Sequence, residues 1–597
     1  MKNNKILKNA IIILFAMFLS VTIQIDLDSS VGFIASFQVD EIFGIIVFIL
    51  YYIAINKIIN IKDKRAKIIA LILSTIFAGI EIIGFSIHNY NSLEGIIGSK
   101  GMLIKAMLKF IAYLATFYGL ILLVIKEFLT KIKINNKEKV KSFFTNNKKS
   151  FFICALTIFI AYIPYFLHNY PGIFTTDSIA EMHSAINNMG NLVNHHPVLH
   201  IFIISVCLNI GNVFGDYTIG IAIYSILQMV ATSMVFSYVI KYMASKKINV
   251  YIRAVILAFF ALYPPFATYS ITMWKDVPFA LMMVLFTIQI IEMVTNKQYF
   301  ESKKNLIKFA IISILVILFR NNGIYVVFLT MIAMIIGIKG NRQKLTIVTA
   351  TIVLFYIIFK GPIFDLFNIT DGPVREALSV PLQQIARTVK YKEDELTQEE
   401  KDIISKYLPI EDLAERYYPL ISDNVKDNFN NAEFEENKVE FVTLWIKLFI
   451  KAPKEYIEAF FSNSYGYWYP QAINWVIPDW YDYAKDDLIQ YEKEAVIHIP
   501  LMDKMNGAIN QRKIPLISMS FSIGFTFWIV LICIVYTIYK KKYKNLLIYI
   551  PILSLWLTTI ASPVWCEYRY IYSMFTCIPL LTILNISLVN EEDSKID

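Results

Sequence analysis

The sequence predicts an all-α polytopic membrane protein of about fourteen transmembrane helices, with one α-rich domain outside the bilayer. Three observations carry this. Of 597 residues, 56% are apolar and only 17% charged, with a mean hydropathy of +0.53, well short of the charged share of a soluble domain. Apolar runs of about 18 to 25 residues recur between short polar segments. The Lys and Arg residues of those short segments fall on one face once a single apolar run is read as non-crossing. The formal charge of +9 therefore belongs to loop topology and not to nucleic acid. Five cysteines without paired spacing indicate neither a disulfide framework nor a zinc site.

Taken in order, residues 1–150 read as a four-helix membrane segment. Basic Met1–Lys8 starts inside, and the first run, Lys5 to Ile25, is an anchor without a small-residue cleavage site. Further helices follow near 42–58, 68–87 and 104–126, then the very basic cytoplasmic loop Lys126–Lys149. Lys100, Lys105 and Lys109 fit this topology poorly, because they fall at the expected outer end of the fourth helix. A membrane core spans 151–361. Its helix from Phe151 exits near His168 into an outer loop, 168–197, that holds no Lys or Arg. The run 198–214 is read as a helix embedded at the outer face. If it crossed, the basic loop Lys241–Arg253 and every later basic loop would lie outside. Spans then follow near 218–240, 253–270, 277–295, 306–321, 324–339 and 345–361. The polar stretch 362–512 is too long for an unstructured loop and is expected to form an extracytoplasmic α-rich domain with an aromatic tail. Three helices in 513–597 complete the chain.

On this topology the rare polar residues gather at the outer face. They are Thr175-Thr176-Asp177-Ser178 with Glu181, Asn194-His195-His196-Pro197, Trp274-Lys275-Asp276, Arg320-Asn321-Asn322 and Cys566-Glu567-Tyr568-Arg569. Charged groups at membrane depth are costly and mark function. Each also has a plainer reading. Asp177 suits a helix cap, His195 and His196 suit ordinary loop histidines, Lys275/Asp276 and Glu567/Arg569 suit internal ion pairs, and Arg320 suits an interfacial anchor. The stretch Tyr465-Gly466-Tyr467-Trp468-Tyr469, continuing to Trp475, Trp480, Tyr481 and Tyr483, reads as an interfacial belt or a sugar platform. Convergence of five loops on one face favours a site over five separate coincidences. There is no Walker A loop, GxGxxG or HExxH, so nucleotide-driven chemistry has no support. A carboxylate base with cations for a departing phosphate suits a donor carried on a membrane lipid phosphate.

The order of these parts over 151–361 resembles the GT-C superfamily of membrane glycosyltransferases, which use polyprenyl-phosphate-linked sugars. The likeness lies in Thr-Thr-Asp177-Ser on an outer loop, His195-His196-Pro197 leading into a juxtamembrane helix, and a second outer acidic motif, Trp274-Lys275-Asp276. Tyr170-Pro171-Gly172, Asn194-His195-His196-Pro197 and Ser379-Val380-Pro381-Leu382-Gln383-Gln384 look like an uncharacterised Gram-positive branch with a GT-C-like core. The resemblance implies Asp177, Asp276, His195 and His196 as catalytic residues. It implies Lys275, Arg320, Glu567, Arg569, Glu181 and Trp468 as substrate-binding residues. A divalent metal is the one cofactor it raises. Asp177 departs from the paired acids of metal-dependent members, with Glu181 four residues on.

The expected function is a glycosyltransferase in the cell membrane with an extracytoplasmic active site. It would move a sugar from a polyprenyl-phosphate donor to a glycan, lipid or protein acceptor of the cell envelope. Its partners are the lipid bilayer and these substrates, with no nucleic acid. The alternatives are a transporter or flippase of lipid-linked saccharides and a non-catalytic envelope-assembly protein.

Overall fold

The computed structural model describes residues 2–38, 40–132, 147–187, 189–478, 495–514 and 516–591. Trp480, Tyr481 and Tyr483, most of the basic loop Lys126–Lys149 and the last six residues of the acidic tail lie outside them. Nine described helices are long and apolar enough to cross a membrane, or ten if the bent pair Val250–Leu262 and Pro264–Ser270 is one span. Ile6–Thr22, Val198–Val213, Gly323–Gly337 and Ile523–Tyr539 are apolar but shorter. The protein is thus a multi-pass, all-α membrane protein. Along Glu41–Ile59 the side chains of Ile42, Phe43, Ile45, Ile46, Ile49 and Leu50 point out of the fold, which suits hydrocarbon and not water.

Two of the three misfitting lysines, Lys105 and Lys109, are accounted for by the first module. Lys105 is buried, and its ammonium donates to the carbonyls of Asp28 and Val31 and to Ser36 Oγ. Lys109 donates to the carbonyl of Ile25 at 2.5 Å. Both cations bind the open carbonyls after the first helix, so they serve the fold and carry no topology signal.

Val198–Val213 forms a hairpin with the 29-residue helix Tyr217–Ser245. Gly215, at φ +78°, makes the turn, and Gly211 packs directly on the Gly220 backbone with no room for a Cβ. At its start the shorter arm reaches only the level of Tyr224, where His200 bonds to it. Tyr217–Ser245 continues another five turns to the basic end, where Tyr242 and Lys246 hold Glu292 at 2.7 and 2.6 Å.

Asp276–Thr295 and Tyr568–Glu591 are the most buried of the long apolar helices, and they pack on each other at the centre. Both begin at the end of the bundle that carries 168–197. The helix before the first of them breaks by 53° at Tyr263-Pro264, because proline has no amide proton to continue the ladder. The short second segment delivers residues 271–275 to the same end. There Ile173 N–H donates to the Ile271 carbonyl and Met273 N–H to the Ile173 carbonyl, both at 2.8 Å.

The polar region has its own core, in which Leu382, Ile385, Val389, Ile404, Tyr407, Phe441, Leu444 and Tyr456 pack together. Its helices are Ser379–Lys392, Gln398–Tyr407, Lys438–Lys451 and Pro453–Ser464, the second opened by a Thr397–Glu400 capping box. Buried Arg387 pairs with Glu458 and donates to Tyr417 Oη at 3.1 Å. This core closes at Tyr456. From Tyr465 the chain joins the main core, so the polar unit ends well before residue 512. Tyr465, Tyr467 and Tyr469 are at most 2% exposed, which makes them neither belt nor platform. Tyr467 Oη bonds to the carbonyl of Val564 and accepts from Glu567 N–H, Gly466 packs on Cys566, and the Tyr469 ring lies on Gly84.

Candidate functional site

Asp177 is the second residue of the helix Thr176–Asn187. The opening turn is secured by Ser178, whose Oγ accepts from Thr175 N–H at 3.1 Å and donates to the carbonyl of Met273 at 2.6 Å. Thr175 Oγ1 accepts from the Trp274 indole at 2.8 Å. The Asp177 carboxylate turns to cations: Oδ2 lies 2.7 Å from Arg569 Nη1 and 3.4 Å from Lys275 Nζ.

One helical turn later, on the same face, Glu181 meets two histidines four residues apart. His200 Nδ1 lies 2.5 Å from Oε2 and His196 Nδ1 3.2 Å from Oε1. Lys275 Nζ is 2.7 Å from His196 Nδ1. The proton positions follow from the partners. Gln228 uses its amide N–H groups on the carbonyls of Tyr269, Ser270 and Thr272, and its Oε1 accepts from Tyr224 Oη. Tyr224 Oη then accepts from His200 Nε2 at 2.6 Å, and His200 Nδ1 lies 2.5 Å from Glu181 Oε2. His196 Nδ1 thus stands between the Lys275 ammonium and Glu181 Oε1, and that carboxylate oxygen is buried.

Asp276 opens its helix, where the dipole favours an acid, and Arg320 Nη1 stands 3.0 Å from its Oδ1. That contact is one of charge without hydrogen-bond alignment. Arg320 also donates to the carbonyl of Tyr570 at 3.0 Å and lies over the Tyr570 ring. Arg569 Nε faces Glu567 Oε1 at 3.6 Å, and its guanidinium covers the Trp274 and Tyr570 rings. Asn321 ties the turn after Arg320 to the carbonyl of Asn194 at 2.7 Å. Thus all five polar motifs meet. His195 stands apart from the acids: it is exposed, with its ring edge-on to His196 at 4.7 Å. Trp468 is set back too, against Phe461 and Tyr465, with its indole N–H on Ser464 Oγ. Trp475 comes nearer, 6.0 Å from Trp274 between ring centroids.

The carboxylates differ in access and in affinity for protons. The Asp177 side chain is 31% exposed, those of Glu181 and Asp276 1% and 0%. Burial alone would raise Asp177, but Arg569, then Lys275 and His196, hold it well below the usual carboxylate range. Glu181 is likewise held low against burial, chiefly by His200. Glu567 goes the other way, pushed up to about 7 by burial, which Arg569 only partly offsets, with Asp276 and Asp177 adding to the rise.

Neither of two donor groups fits a metal. At the site, the point faced by Asp177, Glu181 and His196 is taken by Lys275 Nζ. Elsewhere His168, His498 and Asp503 bring ligand atoms within 4.8 Å of one another. Ile499 N–H, however, donates to His168 Nδ1, so the His168 proton sits on Nε2 and goes to Asp503 at 3.1 Å. His168 then offers no lone pair to an ion.

A family profile described as a family of unknown function, DUF6020, matches residues 187–596. The chain belongs to DUF6020. The matched stretch holds His195, His196, Lys275, Asp276, Arg320, Glu567 and Arg569, whereas Asp177 and Glu181 precede it. No curated protein and no solved structure matches this DUF6020 member. Sequence reasoning missed His200, Tyr224 and Gln228. His200 follows His196 by four residues as Glu181 follows Asp177, and those two spacings were the available signal.

Proposed function

We propose that this DUF6020 member transfers a sugar from a polyprenyl-phosphate donor to an acceptor hydroxyl at the outer face of the membrane, with a GT-C-like core. The observation that carries the reading is the partly exposed Asp177 carboxylate, held by cations from two other loops. In the resting site Arg569 and Lys275 keep Asp177 ionised but a weak base. An arriving phosphate competes for both cations and restores basicity to Asp177 as the acceptor docks. The acceptor proton passes to Asp177 Oδ2 as its oxygen bonds the anomeric carbon. The bond from that carbon to the phosphate oxygen breaks, and the electron pair leaves with the lipid phosphate, stabilised by Arg569, Lys275 and Arg320. Glu567, raised to about 7, carries only part of a negative charge near neutral pH, which favours an anion beside Arg569. The acceptor is a glycan, lipid or protein of the envelope.

A flippase of the same lipid-linked saccharides draws support from the broken helix 250–270, since broken helices recur in transporters. Purified protein incubated with a panel of lipid-phosphate sugars separates the two, with free lipid phosphate read by mass spectrometry. Release of lipid phosphate supports transfer. Unchanged donors that move between leaflets overturn it.

A further inference from the structure

Lys275 Nζ occupies a point on which three other side chains converge. It lies 2.7 Å from His196 Nδ1, 3.4 Å from Asp177 Oδ2 and 3.7 Å from Glu181 Oε1. One imidazole and two carboxylates are a donor set for a divalent ion such as zinc or cobalt. A second observation points to the same place: Glu181 Oε1 is buried, makes no hydrogen bond and faces this point. His196 turns the same ring nitrogen, Nδ1, to both Lys275 Nζ and Glu181 Oε1, so a metal-binding atom of its ring already faces this point. The lysine stem enters from the N-cap of Asp276–Thr295, and its side chain is only 13% exposed.

We propose that the Lys275 ammonium is the built-in occupant of a divalent-cation site formed by Asp177, Glu181 and His196, and that its removal opens that site to a metal ion. The inference rests on this geometry and is independent of the transfer reaction. A fixed ammonium supplies positive charge at contacts of 2.7–3.7 Å, whereas a zinc-like ion would draw its ligands to about 2.0–2.2 Å. Asp177, partly exposed, has the freedom to make that move, and truncating Lys275 to alanine vacates the volume it needs.

The test titrates cobalt(II) into the full-length chain in detergent, in a His498→Ala background that removes the second histidine–aspartate group. Wild-type Lys275 is expected to show no saturable uptake and no cobalt ligand-field bands. Lys275→Ala is expected to bind about one equivalent, with bands of a low-coordinate nitrogen–oxygen site. Adding Asp177→Asn or His196→Gln should abolish them. Lys275→Ser serves as a second variant, judged like the first by its melting temperature. Lys275→Met, which fills the space without charge, should bind none. A folded Lys275→Ala or Lys275→Ser protein that takes up no cobalt overturns the proposal. So does a Lys275 protein that binds one equivalent lost on Asp177→Asn.

Discussion

Arg569 Nη1 sits 2.7 Å from Asp177 Oδ2, joining the first polar loop of the core to the last across 392 positions of chain. Among the cations around Asp177, Arg569 does most to hold the carboxylate in its charged form against burial.

Asp177→Asn keeps the shape and a hydrogen-bond acceptor for Arg569, so the melting temperature should change little. An amide cannot take the acceptor proton, and turnover should fall by roughly 10²- to 10⁴-fold. Donor affinity should be retained or improved, since a negative charge near the phosphate is gone. Turnover and donor binding measured beside Glu181→Gln decide it. Most of the wild-type turnover surviving in Asp177→Asn would move the base elsewhere.

Arg320→Gln and Arg569→Gln should each weaken donor binding by roughly 1.5–3 kcal/mol, the worth of a charge-assisted hydrogen bond. The two should differ in pH profile. Only Arg569→Gln frees Asp177, whose carboxyl then rises toward its ordinary range. Wild-type donor affinity in both variants refutes a role in phosphate recognition.

Glu567 lies just before the last long apolar helix, and its folded-state value of about 7 exceeds the ordinary 4.5. A raised acid binds more protons folded than unfolded, so stability falls as pH rises from the unfolded value through the folded one. The contribution present below pH 4.5 should be lost by about pH 7 to 7.5, amounting to roughly 3 kcal/mol. Glu567→Gln should flatten the melting temperature against pH over that window. An unchanged slope in the variant assigns the dependence to another group.

The basic loop after Tyr217–Ser245 is expected inside the cell. The five cysteines are buried and free, so each can be replaced before Ser245→Cys is introduced. Ser245→Cys in intact cells should resist a membrane-impermeant thiol reagent and react after permeabilisation. Labelling without permeabilisation would invert the face assigned to every later loop.

The helices were legible because apolar runs and basic loops are written locally. Every expected span carries helix, but among the described residues only nine or ten of the expected fourteen or so are long and apolar enough to cross, Ile6–Thr22, Gly323–Gly337 and Ile523–Tyr539 being shorter. The meeting of Asp177, Lys275, Asp276, Arg320 and Arg569 was legible as a face, because charge at membrane depth is rare. What stayed hidden depends on partners distant in sequence. His200 looks like one polar residue in an apolar helix until Glu181 and Tyr224 are placed on either side of it. Tyr467 and Tyr469 look amphipathic, yet Cys566, at φ 50°, brings the last loop onto Gly466 between Tyr465 and Tyr467, and the Tyr469 ring is covered by Gly84. Lys105 and Lys109 read as topology errors until the carbonyls they bind are known.

The two-residue pairing of Val193–Asn194 with Thr370–Asp371 is small, but it lies between two units with separate cores. Gly372 follows at once and presses on the His195 backbone, where a Cβ would come within 3.1 Å of its Cα. The base of the polar unit and the histidine loop therefore behave as one linkage. A side chain at position 372 would have to push the His195 backbone aside, so this small contact fixes how closely the polar unit can sit against the histidine loop.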